Sequence, residues 1–247
     1  VNRRAIFLTA MDRPDYLKRT LDSWLLVPEL HDWHVVFRIE PSSIQTTIVR
    51  MIKDFAIEAG LKGFEIVLNQ ELLGVLHHPW VGFEELFLDY EFVVRTEDDL
   101  MVSTDVLRFF EWADDAYALD PAVGAVNAFT DASRGAPGAG TEIVGVFKPW
   151  VWGTWRHMWA SLIGPTWDHD YTTGEGDRRG WDWNLHLRVF PEHNLKVLRP
   201  RCSRVKNIGE WGVHGTPENL LRAPSFVQVR QPVEFERPVR DAAPRAV

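Results

Sequence analysis

Apolar positions in the first 120 residues alternate between short continuous runs and stripes spaced three or four apart. AIFLT (Ala5 to Thr9) is the first run and reads as a buried strand. AMDRP follows, where Pro14 suits the first turn of a helix, and Leu17, Leu21, Trp24 and Leu25 then recur at helical spacing. HVVFRIE (His34 to Glu40) predicts a second strand, and Ile44, Ile48, Met51, Ile52 and Phe55 the stripe of a second helix closed by Gly60. FEIVL (Phe64 to Leu68) predicts a third strand, and PWVGFEELFLD (79–89) a helix despite Gly82. EFVVRT is a fourth strand, after which STDVLRFFEWADDAYAL restarts a helix with Ser103 or Thr104 as N-cap. Strands separated by helices imply parallel pairing through crossovers. Such sheets bind ligands at the carboxyl ends of their strands.

After residue 120 the alternation breaks down. AVGAVNAF predicts a strand and SRGAPGAG a loop; EIVGVF, a Trp-rich segment, GEGDRRG and a basic, proline-containing tail follow. Eight of the twelve tryptophans lie between Trp150 and Trp211. Trp152, Trp155, Trp181 and Trp183 are expected in the core, with at least one of them lining a ligand groove. No internal repeat or linker divides the chain, so a single α/β domain is expected.

Composition narrows the class. With 45% hydrophobic and 25% charged residues the chain reads as globular, and no window of eighteen apolar residues predicts a membrane span. No secretory leader is recognisable. The single Cys202 precludes an intrachain disulfide and suits a reducing cytoplasm. The net charge of −8 is uneven: residues 1–177 hold 14 basic and 28 acidic side chains, residues 178–247 hold 13 and 7. A basic C-terminal third suits an anionic partner such as a nucleotide diphosphate or a nucleic acid, and equally an unevenly charged solvated surface.

The stretch FVVRTEDDLMVS (92–103) adds candidate chemistry. A buried strand ends in Glu97, Asp98 and Asp99, three like charges that are costly to bury unpaired. Either they form a solvated loop tip or a cation sits among them. Mg²⁺ and Mn²⁺ favour such oxygen ligands and keep positions open for substrate phosphates. Asp12 and Arg13 follow the first strand and Glu40 ends the second, so these groups converge on the same sheet edge. No P-loop, GxGxxG, zinc spacing or GxSxG elbow is present.

Six patches, in order, carry a resemblance: IFLTAMDRPDYLKRTLDSW, FVVRTEDDLMVSTDVLRFFEW, VNAFTD, FKPWVWGTWRHMWASL, GWDWNLHLR and RPRCSRVKNIGEWGVHG. Over residues 5 to about 215 the chain resembles the inverting, metal-dependent glycosyltransferases of the GT-A fold, and within them the family of the first N-acetylglucosaminyltransferase of N-glycan processing. The resemblance implies a Rossmann-like, mostly parallel sheet flanked by helices, with a nucleotide-binding half (1–127), a donor-sugar and acceptor half (128–220) and a tail (221–247). It implies Asp99 as the direct ligand of Mn²⁺ or Mg²⁺, with His214 as a possible second ligand near the diphosphate. Asp98 and Glu97 would contact ribose, or the metal through water; Thr9, Asp12, Arg13 and Glu40 would lie against the nucleotide, Gly153 in a loop facing the donor sugar, and Arg204 near the diphosphate. Asp182 would be the base. The family has two consecutive acids there and this chain reads WDW, so Asp177 and Glu175 remain alternatives.

The implied activity is transfer of a sugar from a nucleotide sugar, with UDP favoured, to a hydroxyl on a glycan, a protein or a hydroxymethylated DNA base. General-base help from Asp182 would contribute roughly 10²–10⁴ in rate, with Arg201, Arg204 and Lys206 offsetting diphosphate charge. A nucleotidyltransferase is the rival among enzymes, and a non-catalytic sugar- or protein-binding module the rival outside them. A cytoplasmic setting, in a bacterium or a phage-infected cell, follows from the expected lack of anchor and disulfides.

Overall fold

The four apolar runs of the N-terminal half form a parallel block of one sheet. In a computed structural model that describes residues 3–130, 138–172, 180–209 and 233–238, these are β1 (Arg4–Ala10), β2 (His34–Ile39), β3 (Phe64–Leu68) and β4 (Phe92–Glu97), laid side by side as β3-β2-β1-β4. Ala5 to Leu8 and Phe92 to Val94 are buried, as continuous apolar runs in a sheet covered on both faces must be. The crossovers are α1 (Pro14–Trp24), α2 (Gln45–Glu58) and α3 (Gly74–Leu86). β1 pairs in register with β4 so that Thr9 stands opposite Glu97, which aligns the ends of the first and fourth strands on one edge.

The C-terminal half extends the same sheet. After β4 come β5 (Leu100–Val102), α4 (Val106–Tyr117), β6 (Val123–Asn127), β7 (Thr141–Val144), β8 (Trp152–Trp155), β9 (Lys196–Pro200) and β10 (Val205–Asn207). The eight-stranded order is β3-β2-β1-β4-β8-β6-β9-β7, with β10 and β5 as a separate antiparallel pair. β8 runs antiparallel between β4 and β6. The expected mixed α/β architecture, mostly parallel and flanked by helices, is therefore the observed one.

Two boundaries differ from the sequence reading, each for a physical reason. α3 begins at Gly74, five residues before Pro79, so the proline lies inside the helix. The Val75 carbonyl that a residue-79 N–H would normally bond instead accepts the Trp181 indole N–H at 3.2 Å, which removes much of the cost of an interior proline. α4 begins at Val106, with Asp105 rather than Ser103 or Thr104 at the cap position, because the Asp105 carboxylate is held by Ser103 Oγ and by Arg204. The described residues of the tail pack on the rest of the domain. Glu236 bridges to Gly140 beside β7, and Phe235 packs on Phe109 and Trp112 at 5.1 and 5.8 Å between ring centroids.

Gly153 sits inside β8, between β4 and β6, rather than in a loop. A Cβ there would stand 2.9 Å from Phe92 Cζ and from Val94 Cγ2 and 3.0 Å from the Val93 carbonyl oxygen. Close packing is thus sufficient reason for glycine at this place. Gly153→Ala should destabilise the fold by about 1–3 kcal/mol, read as a lower urea midpoint with unchanged m-value. An unshifted midpoint would show that β8 can move aside.

Candidate active site

β4 delivers its apolar run to the sheet edge, and β5 begins after only two residues, so Asp98 and Asp99 occupy a tight turn. Their backbone is anchored from two sides. Thr20 Oγ1 donates to the Asp98 carbonyl (2.9 Å), and the Ile208 N–H donates to the Asp99 carbonyl (2.9 Å). Both side chains are buried, Asp98 at 3% exposure and Asp99 at 7%. A solvated loop tip is excluded by those values.

The positive group among them is Arg13, which precedes the first residue of α1. Its Nη2 donates to Asp98 Oδ1, its Nε reaches Asp98 Oδ2 (3.4 Å), and its Nη1 donates to Asp99 Oδ2 (2.8 Å). Asp98 therefore has both oxygens on the guanidinium. Asp99 has one, and its Oδ1 is buried without a partner among the described residues. Burial pushes the Asp98 carboxyl up to about 7; Arg13 pulls it down, and Asp99 and Glu97 push it further up. Asp99 is raised by burial and by Glu97, against Arg13 and Arg95. Burial works against the charge on Arg13, but the two carboxylates outweigh it and raise its pKa.

Glu97 links this turn to a second segment. Arg95 Nη1 donates to Glu97 Oε1 (2.8 Å), and the Arg95 guanidinium lies 5.1 Å from the centre of the Trp181 ring. Trp181 opens α5, our label for the helical turn Trp181–Asn184, whose second residue is Asp182. The Asp182 carboxyl is raised by burial and by the charge of Glu97, while the backbone N–H groups of Trp183 and Asp182 and the charge of Arg95 oppose this. Asp182 is thus within electrostatic reach of the acidic turn.

A hard cation fits this donor set. Among the described residues, Arg13 and Arg95 are the cations that meet Glu97, Asp98 and Asp99, and one buried carboxylate oxygen, Asp99 Oδ1, has no partner. No three His, Cys, Asp or Glu side chains gather as a metal-binding group among the described residues. A cation here would take one or two carboxylates and fill its shell with water and ligand phosphates, as Mg²⁺ and Mn²⁺ sites do. Gly209 stands beside this position: a Cβ on it would fall 2.5 Å from Asp99 Oδ2.

The remaining candidates are distributed as follows. Thr9 is half-buried beside Glu97, and Asp12 is exposed at the same edge. Glu40 is buried and accepts from Asn69 Nδ2 (3.0 Å), the Leu73 N–H (3.2 Å) and the Gly74 N–H (2.8 Å), so its carboxylate holds the start of α3. Arg204 is fully buried; it donates from Nε to both Asp105 oxygens (3.0 Å each), from Nη1 to the Cys202 carbonyl (2.8 Å) and from Nη2 to the Gly138 carbonyl (3.0 Å). It ties β10 to α4 instead of facing a ligand. Arg201 is exposed and Lys206 lies in β10 opposite Met101. Trp152, Trp155 and Trp181 are buried, and Trp183 is half-buried. His214, Glu175 and Asp177 lie outside the described residues. Arg95 and Gly209 escaped the sequence reading. An arginine inside the apolar run FVVRT was the available signal, since a buried guanidinium needs a carboxylate; nothing local marks Gly209.

No protein-family profile and no curated protein matches this chain. Solved structures do. GalNAc-T7, solved with UDP, GalNAc and Mn²⁺, aligns at TM-score 0.59 and 11% identity over 90% of this chain and 47% of its own. The mannosyltransferase PcManGT from Pyrobaculum calidifontis, solved with GDP-Man and Mn²⁺, aligns at 0.56 and 15% over 80% of this chain and 54% of its own. Glucosyl-3-phosphoglycerate synthase from Mycobacterium tuberculosis, solved with Mn²⁺, UDP and glucosyl-3-phosphoglycerate, gives 0.50 and 14% over 83% and 72%. The chain spans only about half the length of the first two. At these identities the likeness establishes the fold, which is of the GT-A type.

Two tests separate structural from ligand roles. Arg204→Met should cost about 3–5 kcal/mol, because it strands a buried Asp105, and adding Asp105→Asn should recover part of that loss. A stable Arg204→Met single variant would return Arg204 to the list of ligand contacts. The second test concerns His78, which is buried 3.4 Å from Glu40. Burial lowers its pKa to about 4, with Glu40 opposing and Arg38 and Arg95 adding to the fall. Held neutral in the fold, it contributes stability that is present above the unfolded value near ~6.5 and lost as pH falls to about 4. Asp98, raised to about 7, has the opposite slope in that window, so the contrast with His78→Gln is the informative quantity. The melting temperature of the wild type minus that of His78→Gln should shrink between pH 7 and 5; a constant difference would contradict a buried neutral His78.

Proposed function

We propose that this domain is an inverting, divalent-cation-dependent glycosyltransferase that uses a nucleoside diphosphate sugar, with UDP as the favoured nucleotide. The observation that carries the proposal is Asp99: a buried carboxylate with one oxygen on Arg13 and the other without a partner among the described residues, at the carboxyl end of a central parallel strand. Three solved structures of the same fold type hold Mn²⁺ together with GDP-Man, with UDP and GalNAc, or with UDP and a glucosylated product. That shared chemistry supports the same ligand class here. Placement with the first N-acetylglucosaminyltransferase of N-glycan processing is the finer part of the proposal and rests on the six sequence patches.

In this reading Asp99 would hold Mn²⁺ or Mg²⁺, which when bound would supply Lewis acidity against the charge gathering on the departing diphosphate. Asp98 keeps Arg13 in place, and Arg13 presents its remaining guanidinium edge to the nucleotide. Asp182 accepts the proton of the acceptor hydroxyl as that oxygen attacks the sugar carbon from the face opposite the diphosphate. Its carboxyl is raised by burial, which moves it toward the working pH that favours a general base. The low exposure of the turn makes these fixed charges count for more than they would in water. The acceptor is a hydroxyl on a glycan, a protein or a modified base, and the cytoplasm is the proposed setting.

The deciding experiment is thermal stabilisation by UDP-sugars, GDP-mannose and other nucleotides, with Mn²⁺ or with EDTA. A ligand at ~100 times its dissociation constant adds roughly 2.7 kcal/mol, at about 2–4 °C per kcal/mol for a domain of this size. Stabilisation that EDTA abolishes is expected for the wild type, is lost in Asp99→Asn, and is kept in Asp182→Asn, which should lose only transfer. If no nucleotide stabilises the protein, the binding-module reading replaces this one.

A further inference from the structure

We infer that the interrupted first turn of α3 positions Asp182: Trp181 donates its indole N–H to the carbonyl that Pro79 leaves without a helical partner, and this bond fixes where the next residue stands. The inference rests on the reading of Asp182 as the base.

Pro79 is the sixth residue of α3 and has no N–H to return to Val75. Trp181 Nε1 donates to the Val75 carbonyl at 3.2 Å, and Trp167 Nε1 donates to the adjacent Leu76 carbonyl at 3.3 Å. The two indoles stack, with centroids 4.6 Å apart and planes 12° from parallel. Trp152 packs 5.8 Å from Trp181, and Arg95, which holds Glu97, lies over the same ring. One indole therefore touches both the helix start and the arginine that supports the acidic turn.

The backbone before Asp182 is tied at Gly180: the Asn184 N–H donates to the Gly180 carbonyl (3.1 Å), and the Tyr171 carbonyl accepts from the N–H of Gly180 (3.0 Å). Gly180 has φ +114°, and a Cβ on it would fall 3.1 Å from Asp182 Oδ1 and 3.2 Å from Leu76 Cδ2. With backbone fixed before it and the indole N–H anchored beside it, Asp182 has little freedom of its own. Packing alone would be served by phenylalanine. Tryptophan adds a buried donor that requires an acceptor, and proline creates that acceptor on the facing helix.

Two variants test this. Trp181→Phe keeps an aromatic ring and removes the donor. Pro79→Ala restores a helical N–H that draws the Val75 carbonyl back toward the helix axis. The readouts are the melting shift on adding UDP and Mn²⁺, and UDP release from whichever of UDP-glucose or UDP-N-acetylglucosamine stabilises the wild type. Both variants should keep the melting shift and the donor KM while kcat falls about ten- to a hundredfold, the scale of a small misplacement of a reacting group. Pro79→Ala should do so without losing stability, so it decides the matter alone if Trp181→Phe does not fold. Wild-type kcat in a folded Trp181→Phe, or in Pro79→Ala where that variant decides alone, overturns the positioning role. Asp182→Asn in parallel keeps the two ideas apart: if it transfers normally the base is elsewhere, whereas a dead Asp182→Asn beside normal positioning variants rejects this inference alone.

Discussion

Arg13 is the interaction on which the site depends. Without a cation, three adjacent acids at the end of a buried strand would repel one another in a region where charge is costly. Arg13 meets two of them with three N–H groups, and Arg95 meets the third. Among the described residues, Asp99 Oδ1 is the buried oxygen of these acids left without a partner. The site is close to electrically balanced as it stands, yet still one charge short, which suits a ligand whose cation and phosphates enter together.

That arrangement also divides labour inside the triplet. Adjacent carboxylates look equivalent in a sequence, but the turn separates them: Asp98 faces Arg13 with both oxygens, Asp99 with one, and Glu97 meets Arg95, whose guanidinium lies over the Trp181 ring. The difference arises from chain geometry, since β4 ends at Glu97 and β5 restarts at Leu100. The backbone bonds from Thr20 and Ile208 then fix the turn between elements distant in sequence.

The parallel half of the fold was legible in the sequence because its periodicities are strong and local: AIFLT, HVVFRIE, FEIVL and EFVVRT each fall on an observed strand. The convergence of Asp12, Arg13 and the acidic triplet at one edge followed from parallel topology alone. What escaped depends on distant partners. Glu40 and Arg204 read as ligand contacts but are held by the start of α3 and by Asp105, and no spacing rule announces a partner 99 residues away. Gly153 read as a loop glycine and is a packing glycine. The early start of α3 was hidden by Pro79, whose usual cost is offset by an indole about a hundred residues later in the chain.

The basic C-terminal third shows the same limit in electrostatic form. Its excess of positive charge suggested attraction of an anion, but Arg204 faces Asp105 and Arg199 faces Glu142, so part of that excess is neutralised within the domain. A long-range field depends on charges left facing solvent, and a count along the chain cannot separate those from buried pairs. The local unpaired oxygen of Asp99 is a stronger argument for anion chemistry than the global balance. It is a defect that folding alone would not favour, because a partner or an apolar replacement would remove its cost. In the proposed function, a cation arriving with a diphosphate would remove that cost in the bound state, which would make the defect a reason for the ligand to bind.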